Sequence, residues 1–200
     1  MAPPRKHDTD TILDAARTLA LRDGPRAVSV AAIARESGAP TGTLYHRFSS
    51  RDDILTAAWL RALHRFHERW LAAERHQDPV EAGVAMARSV VAFSRDHPDD
   101  ARLLIELRRR DLVDAAQQDV DNLNAPVQDS IRRLALRLFH DTGDRARDRV
   151  TRAIVDIPYA TVRRHRAPFP EWLEDDVALA ARALLKHKRA MKGSDPFRLY

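Results

Sequence analysis

The stretch SGAPTGTLYHRFSSRDDIL, residues 37–55, gathers Tyr45, His46, Arg47 and Arg51 around Leu44 and Phe48, just after a Gly and a Pro. A hydroxyl, an imidazole and two guanidinium groups this close suit the corner of an enzyme site, a piece of core or a surface built to lie against an anionic partner. A second cluster offers metal-ligand atoms: His64 and His67 stand three apart on one helical stretch, with Glu68 adjacent and His76 further along. Neither Glu68 nor His76 shares a helix face with both His, and a segment so rich in Arg and His is ordinarily solvated. There is no Ser-centred elbow, phosphate loop or carboxylate pair in an apolar setting, so the chain is not expected to be an enzyme. A His-metal-dependent enzyme stays as one alternative. The other is a non-catalytic helical interaction protein gripping an acidic partner through LRRRDL and RRLALRL. Arg108 to Arg110 are consecutive, however, and point in different directions around a helix.

The elements that must position these residues are helices. Val and Ile recur at helical spacing and never alternate with polar residues over a useful length, which predicts an all-α chain. At 200 residues, it has enough length for a proper core. Cysteine is absent, which excludes disulfides, thiolate catalysis and Cys-based zinc sites. The formal net charge of +5 permits an acidic partner. Of 34 basic residues only four are Lys, and Arg is the better bidentate partner of phosphate, although a compositional bias toward Ala and Arg gives the same count. No apolar run approaches the roughly 18 residues of a membrane span, so no membrane partner is expected and the protein reads as soluble and cytoplasmic.

Thr9 or Thr11 is placed to cap a first helix that Gly24 and Pro25 stop. Ser29 then caps VAAIARES, Gly38 ends it, APTGTLYHRF forms another short helix, and Ser50 with Asp53 opens a long one. Longer helices are predicted over 80–96, 99 to about 108, about 120–140, 144 to about 166 and 171–188. Pro98, Pro126 and Pro170 suit first turns, whereas Pro158 should kink or split its helix. The tail MKGSDPFRLY reads as frayed. There are no internal repeats, and the chain divides into 1–51, with the connecting helix starting at 50–55, and 52–200.

Two short helices joined by about three residues including a Gly form a helix-turn-helix, whose second helix enters the major groove. At 100° per residue, Leu44 and Phe48 point inward, while Gly42 and His46 point most directly outward. Thr41 with Tyr45 forms one flank and Thr43 with Arg47 the other. Small residues let the backbone approach the groove floor, and the hydroxyls and guanidinium reach phosphates. The start of the next helix, with Arg51, reads as a second anion site.

From about Ile12 to Leu55 the sequence resembles the DNA-binding domain of the tetracycline-repressor (TetR) family. The resemblance runs through ILDAARTLALRDG and SVAAIARESGAPTGTLYHRFSSRDDIL into the long helix. It implies a dimeric, all-helical transcriptional regulator, usually a repressor, whose N-terminal helix-turn-helix domain binds double-stranded operator DNA. The C-terminal helical domain of such proteins binds a small-molecule ligand that releases the operator. No cofactor is implied beyond this unidentified effector. Thr41, Gly42 and Tyr45 match base-facing places, while Thr43, Arg47 and Arg51 match phosphate-binding ones. Ser29 matches the cap of the second helix, and His46 reads as a DNA contact of uncertain type. The family often has His where Arg47 stands, and some members carry Arg where this chain has Ala31 and Ala32. The operator therefore cannot be borrowed from a relative.

In the C-terminal half, Leu173, Val177, Ala180, Leu184 and His187 form a narrow apolar seam, with Ala181 beside it. Val150, Ile154 and Ile157 form a similar stripe. Periodicity alone leaves open whether these face their own core or a partner. The resemblance implies a partner, because the last two helices of such proteins pair across a two-fold axis, which also sets two recognition helices on a palindromic operator. By the same resemblance the ligand pocket lies among the middle helices, around Met86, Val90, Phe93, Leu103, Leu107, Leu123, Phe139 and Tyr159. All eight are core residues by default, and Tyr159, beside Pro158, is the preferred polar contact.

Overall fold

The computed structural model describes residues 9–107, 116–165 and 167–186, and among these every regular element is helical. The first helix, α1 (Thr9–Asp23), turns Ile12, Leu13, Ala16, Leu19 and Ala20 inward. Thr9 and Thr11, expected as alternative caps, are both helical residues of it. Gly24 ends the run at φ 83°, and a 3-10 turn, Pro25–Ala27, leads into α2 (Val30–Ser37). Ser29 caps α2, its hydroxyl accepting from the Ala32 amide at 3.1 Å. Gly38 follows at φ 69°, a left-handed position that a side chain would strain. After it come α3 (Thr41–Arg47) and the long α4 (Arg51–Ala72), whose Ser50 cap accepts from the Asp53 amide at 3.1 Å.

The second half holds α5 (Pro79–Asp96), α6 (Pro98–Glu106), α7 (Gln117–Phe139), α8 (Asp144–Thr151), α9 (Ile157–Arg164) and α10 (Leu173–Lys186). Pro98 opens α6 as expected. Pro126 does not open α7 but lies well inside it, on a solvent-exposed face where water can hydrate the carbonyl its ring leaves unpaired. Pro170 precedes α10, its carbonyl accepting from the Leu173 amide at 3.2 Å. The expected interruption falls just ahead of Pro158, which stands in the first turn of α9. A π-helical turn, Arg152–Asp156, joins α8 to α9, so the widened turn comes where a proline ring would crowd regular α geometry. The expected helix ends at 108, 166 and 188, the Arg108–Arg110 run, His187 and the tail lie outside the described residues.

Two cores form. The first joins α1, α2, α3 and the first half of α4 to Leu103, Leu107 and Val120 from beyond the turn region. The second packs α5, α7, α8, α9 and α10 around Met86, Leu134, Ile154 and Leu173. A Cβ at Gly83 would run into the Leu185 side chain, so the absence of a side chain lets α5 and α10 approach.

Candidate nucleic-acid interface

Local sequence sets the recognition element. Ile33 and Leu44 are fully buried between α2 and α3, and Ala34 is nearly so, which locks the two short helices together. With Leu44 as the inward anchor, the other side of α3 is uncovered: Thr41, Gly42, Tyr45, His46 and Arg47 are all exposed, Tyr45 by 60%. Thr43 is half-buried. Phe48, expected as a second inward residue of α3, is the residue after its end, with extended backbone and a half-buried ring; its amide closes the helix onto the Leu44 carbonyl at 2.9 Å. A Cβ at Gly42 would meet nothing within 4 Å, so the glycine is not there to relieve crowding; it keeps that edge of the helix low.

The two Arg residues behave differently. Arg47 is exposed, and Nη1 donates to the Thr9 hydroxyl at 3.0 Å, a single contact that a phosphate can replace. Arg51 points toward the turn between α1 and α2. The start of α4, expected as an anion site, already carries its own anions in Asp52 and Asp53, and its Asp53 amide is bonded by Ser50.

Charged contacts bind this region to the rest of the chain. Asp100, on α6 and only 2% exposed, sits between Arg17 of α1 and Arg65 of α4; Arg17 bonds one carboxylate oxygen and Arg65 reaches the other at 3.1 Å. Arg61 of α4 bonds Asp10 at 2.6 Å and Asp14 at 2.5 Å, which holds the Asp10 carboxyl below the usual carboxylate range. The Trp59 indole N–H donates to the Leu107 carbonyl at 2.9 Å. Nothing in the local sequence signals the Asp100 node, since an Asp in a first turn is ordinary helix chemistry and its partner Arg17 is 83 residues away.

The candidate pocket residues are spread over both cores. Met86, Val90 and Phe93 are buried in the α5 region, Leu103 and Leu107 belong to the first core, and Leu123 and Phe139 are half-buried. Tyr159, the preferred polar contact, is 44% exposed on the surface of α9, because the π turn and α9 keep Pro158 inward and its neighbour outward. An open cleft of about 560 Å³ lies elsewhere, between the end of α4 and α7, lined by Leu71, Glu74, Arg75, Pro126, Asp129, Arg133 and Arg137. There Arg133 grips Glu74 through bonds of 3.0 and 2.7 Å. Of the expected interface residues, Val150, Ile154, Leu173, Val177 and Ala181 are buried within the single chain, so these stripes face its own core. Ile157, Ala180 and Leu184 are half-buried. The apolar side chains left uncovered in this half include Tyr159, Trp172 and Leu179, the last 70% exposed.

The His pair diverges as well. His64 is exposed, 3.8 Å from Glu68, whereas His67 is buried against the Phe66 ring and donates to the Leu123 carbonyl. Among the described residues no group of three or more His, Asp or Glu is placed to hold a metal ion. Burial pushes the His67 imidazole down to about 4, more than its bond to Leu123 raises it. Because the unfolded chain takes up this proton at higher pH than the folded one, stability is fully present above pH about 6.5 and falls as pH drops toward 4, by roughly 3 kcal/mol in all. His67→Phe should flatten that part of the stability curve in urea titrations at pH 4–7; an unchanged slope would show that His67 is not the group responsible.

Two short helices packed together across a tight turn, the second with a bare outward face, have the geometry of a helix-turn-helix. Residues 12–58 match the profile described as bacterial regulatory proteins, tetR family. The match covers the N-terminal helices alone, and over them the chain is similar to the TetR family. Solved structures share the fold over nearly the whole length. The TetR-family regulator PfmR from Thermus thermophilus is 20% identical, with 90% of this chain and 96% of that one aligned at a TM-score of 0.73. The fatty acid degradation regulator FadR from Bacillus halodurans is 18% identical over 91% and 100%, TM-score 0.68. The ketosteroid transcriptional regulator KstR2 of Mycobacterium tuberculosis is 17% identical over 88% and 92%, TM-score 0.67. No curated protein is similar enough in sequence to count as a relative. Among the described residues no helix is long and apolar enough to cross a membrane.

Proposed function

We propose that the protein is a ligand-released repressor that binds a palindromic operator as a homodimer in the cytoplasm, acting by binding and not by catalysis. The observation that carries this reading is the face of α3, where Thr41, Gly42, Tyr45, His46 and Arg47 are uncovered together while Leu44 is fully buried behind them. Thr41, Gly42 and Tyr45 meet base edges, Thr43 and Arg47 hold phosphates, and His46 lies at the groove beside them. Ser29 acts on this surface through the start of α2. A second copy covers Tyr159, Leu179 and the exposed Ala183, the apolar surface that α9 and α10 leave bare, with Ile157, Ala180 and Leu184 at its edge.

An effector releases the operator only if it binds the conformation that fits DNA poorly better than the one that fits it well. Small regulators of this fold include proteins named for fatty acid degradation and for ketosteroids, which supports an organic effector without fixing its chemistry. The charged node at Asp100 joins α1 and α4 to α6 and is the rigid connection through which such a preference reaches α3.

Titration of labelled duplex by fluorescence anisotropy at several salt concentrations tests the interface. Arg47→Ala should weaken binding to every duplex and lower the salt slope by about 0.9. Thr41→Ala and Tyr45→Phe should instead change which sequences are preferred. An Arg47→Ala slope equal to that of the unaltered protein would remove Arg47 from the phosphate contacts.

A further inference from the structure

Arg51 occupies a place expected to touch phosphate, yet its guanidinium is turned into the protein. Its Nη1 lies 3.2 Å from the Pro25 carbonyl oxygen and 3.4 Å from those of Arg26 and Val28. Nε donates to Asp52 at 2.9 Å, and Nη2 bonds the same carboxylate oxygen. The three carbonyls belong to the turn between α1 and α2. A 3-10 turn of three residues leaves carbonyls that no helix of its own can pair, and here the donor comes from α4. Asp52 supplies the counter-charge, and the Arg51 side chain is only 32% exposed.

We propose that Arg51 is a positioning residue for DNA binding: it fixes the α1–α2 turn against the first turn of α4 and makes no phosphate contact of its own. The turn carries directly into Ser29 and α2, and α2 is locked to α3 through Ile33 and Leu44, so holding the turn sets the angle at which α3 is presented. Reaching a phosphate would take the guanidinium away from both Asp52 and the carbonyls. Arg is suited to this because its planar fork bonds two directions at once, which the point charge of Lys cannot do. The proposal rests on the DNA-binding reading above.

The test compares Arg51→Ala and Arg51→Lys with Arg47→Ala, using the full chain and a duplex selected by the unaltered protein from random DNA. Binding is measured against salt, and amide exchange is followed at residues 26–30. A positioning role predicts that Arg51→Ala weakens binding by roughly tenfold with the salt slope unchanged, while exchange in the turn quickens; Arg47→Ala lowers the slope by about 0.9. A slope lowered to the same extent by Arg51→Ala, with exchange unchanged, overturns the proposal. Should Arg51→Ala fail to fold, Arg51→Lys decides: weakened binding and faster exchange support the role, and full affinity overturns it. If the unaltered protein selects no duplex at all, the DNA-binding reading fails, and exchange alone still shows whether Arg51 holds the turn.

Discussion

Replacing Asp100 with Ala should destabilise the protein by about 3 kcal/mol and weaken DNA binding in the fraction that remains folded. The carboxylate is 2% exposed and lies between Arg17, itself 17% exposed at its side chain, and Arg65. Removing it leaves the Arg17 guanidinium beside Arg65 with no charge between them, and Arg17 Nε has no partner even with Asp100 in place. The loss is therefore larger than a surface pair would give, for which about 0–1 kcal/mol is usual. Arg17 keeps one alternative, Asp14 at 3.3 Å, which tempers the effect. Urea unfolding monitored by circular dichroism measures it. Pairing Asp100→Leu with Arg17→Met should restore more than half of the lost stability, since apolar groups of similar shape tolerate burial that a lone charge does not. A loss below about 1 kcal/mol for Asp100→Ala would mean that the node does not hold α1 and α4 to α6.

Gly42→Glu should separate stability from function. Gly42 is exposed in α3, and with open space beyond its Cα the new side chain fits without displacement. Exchanging a helical Gly for Glu should raise stability slightly, by about 0.5–1 kcal/mol. On the proposed interface, however, the carboxylate faces phosphates and the groove floor, and like charges brought together cost several kcal/mol. Binding should fall by about two orders of magnitude or more, which corresponds to roughly 2.7 kcal/mol. Thermal unfolding and anisotropy on the same preparation give both numbers. A stabilised variant with undiminished DNA binding would show that the outer edge of α3 does not enter a groove.

How much of this was legible in the sequence depends on the range of the forces involved. Ser29, Gly38 and Ser50 act within a few residues of themselves, as caps and a left-handed stop, and the positions of α2, α3 and α4 follow from them. Helical periodicity likewise places Leu44 inward and Gly42 outward. It cannot say where the end of a long side chain goes, and Arg51 bonds carbonyls 23 to 26 residues earlier in the chain. Nor does it tell a stripe facing its own core from one facing a partner. Val150, Ile154, Leu173 and Val177 have the spacing of an interface and are buried within one chain, while Leu179, off that seam, is exposed. The pocket residues show the same limit, because an apolar periodicity marks the inside of a helix whether or not a void lies there. Pro126 and Pro158 each depend on context: solvent on one side of α7, and a π turn ahead of α9.

The central claim is that α3 reads DNA, and the most direct measurement is selection of bound fragments from random duplex DNA by the 200-residue chain at moderate salt, followed by a titration of the winning sequence. The predicted result is enrichment of one palindromic site, two half-sites with centres about one helical turn apart or a multiple of it, bound as a dimer and lost on Gly42→Glu. Recovery of no preferred sequence, or of one that Gly42→Glu binds equally well, would contradict it.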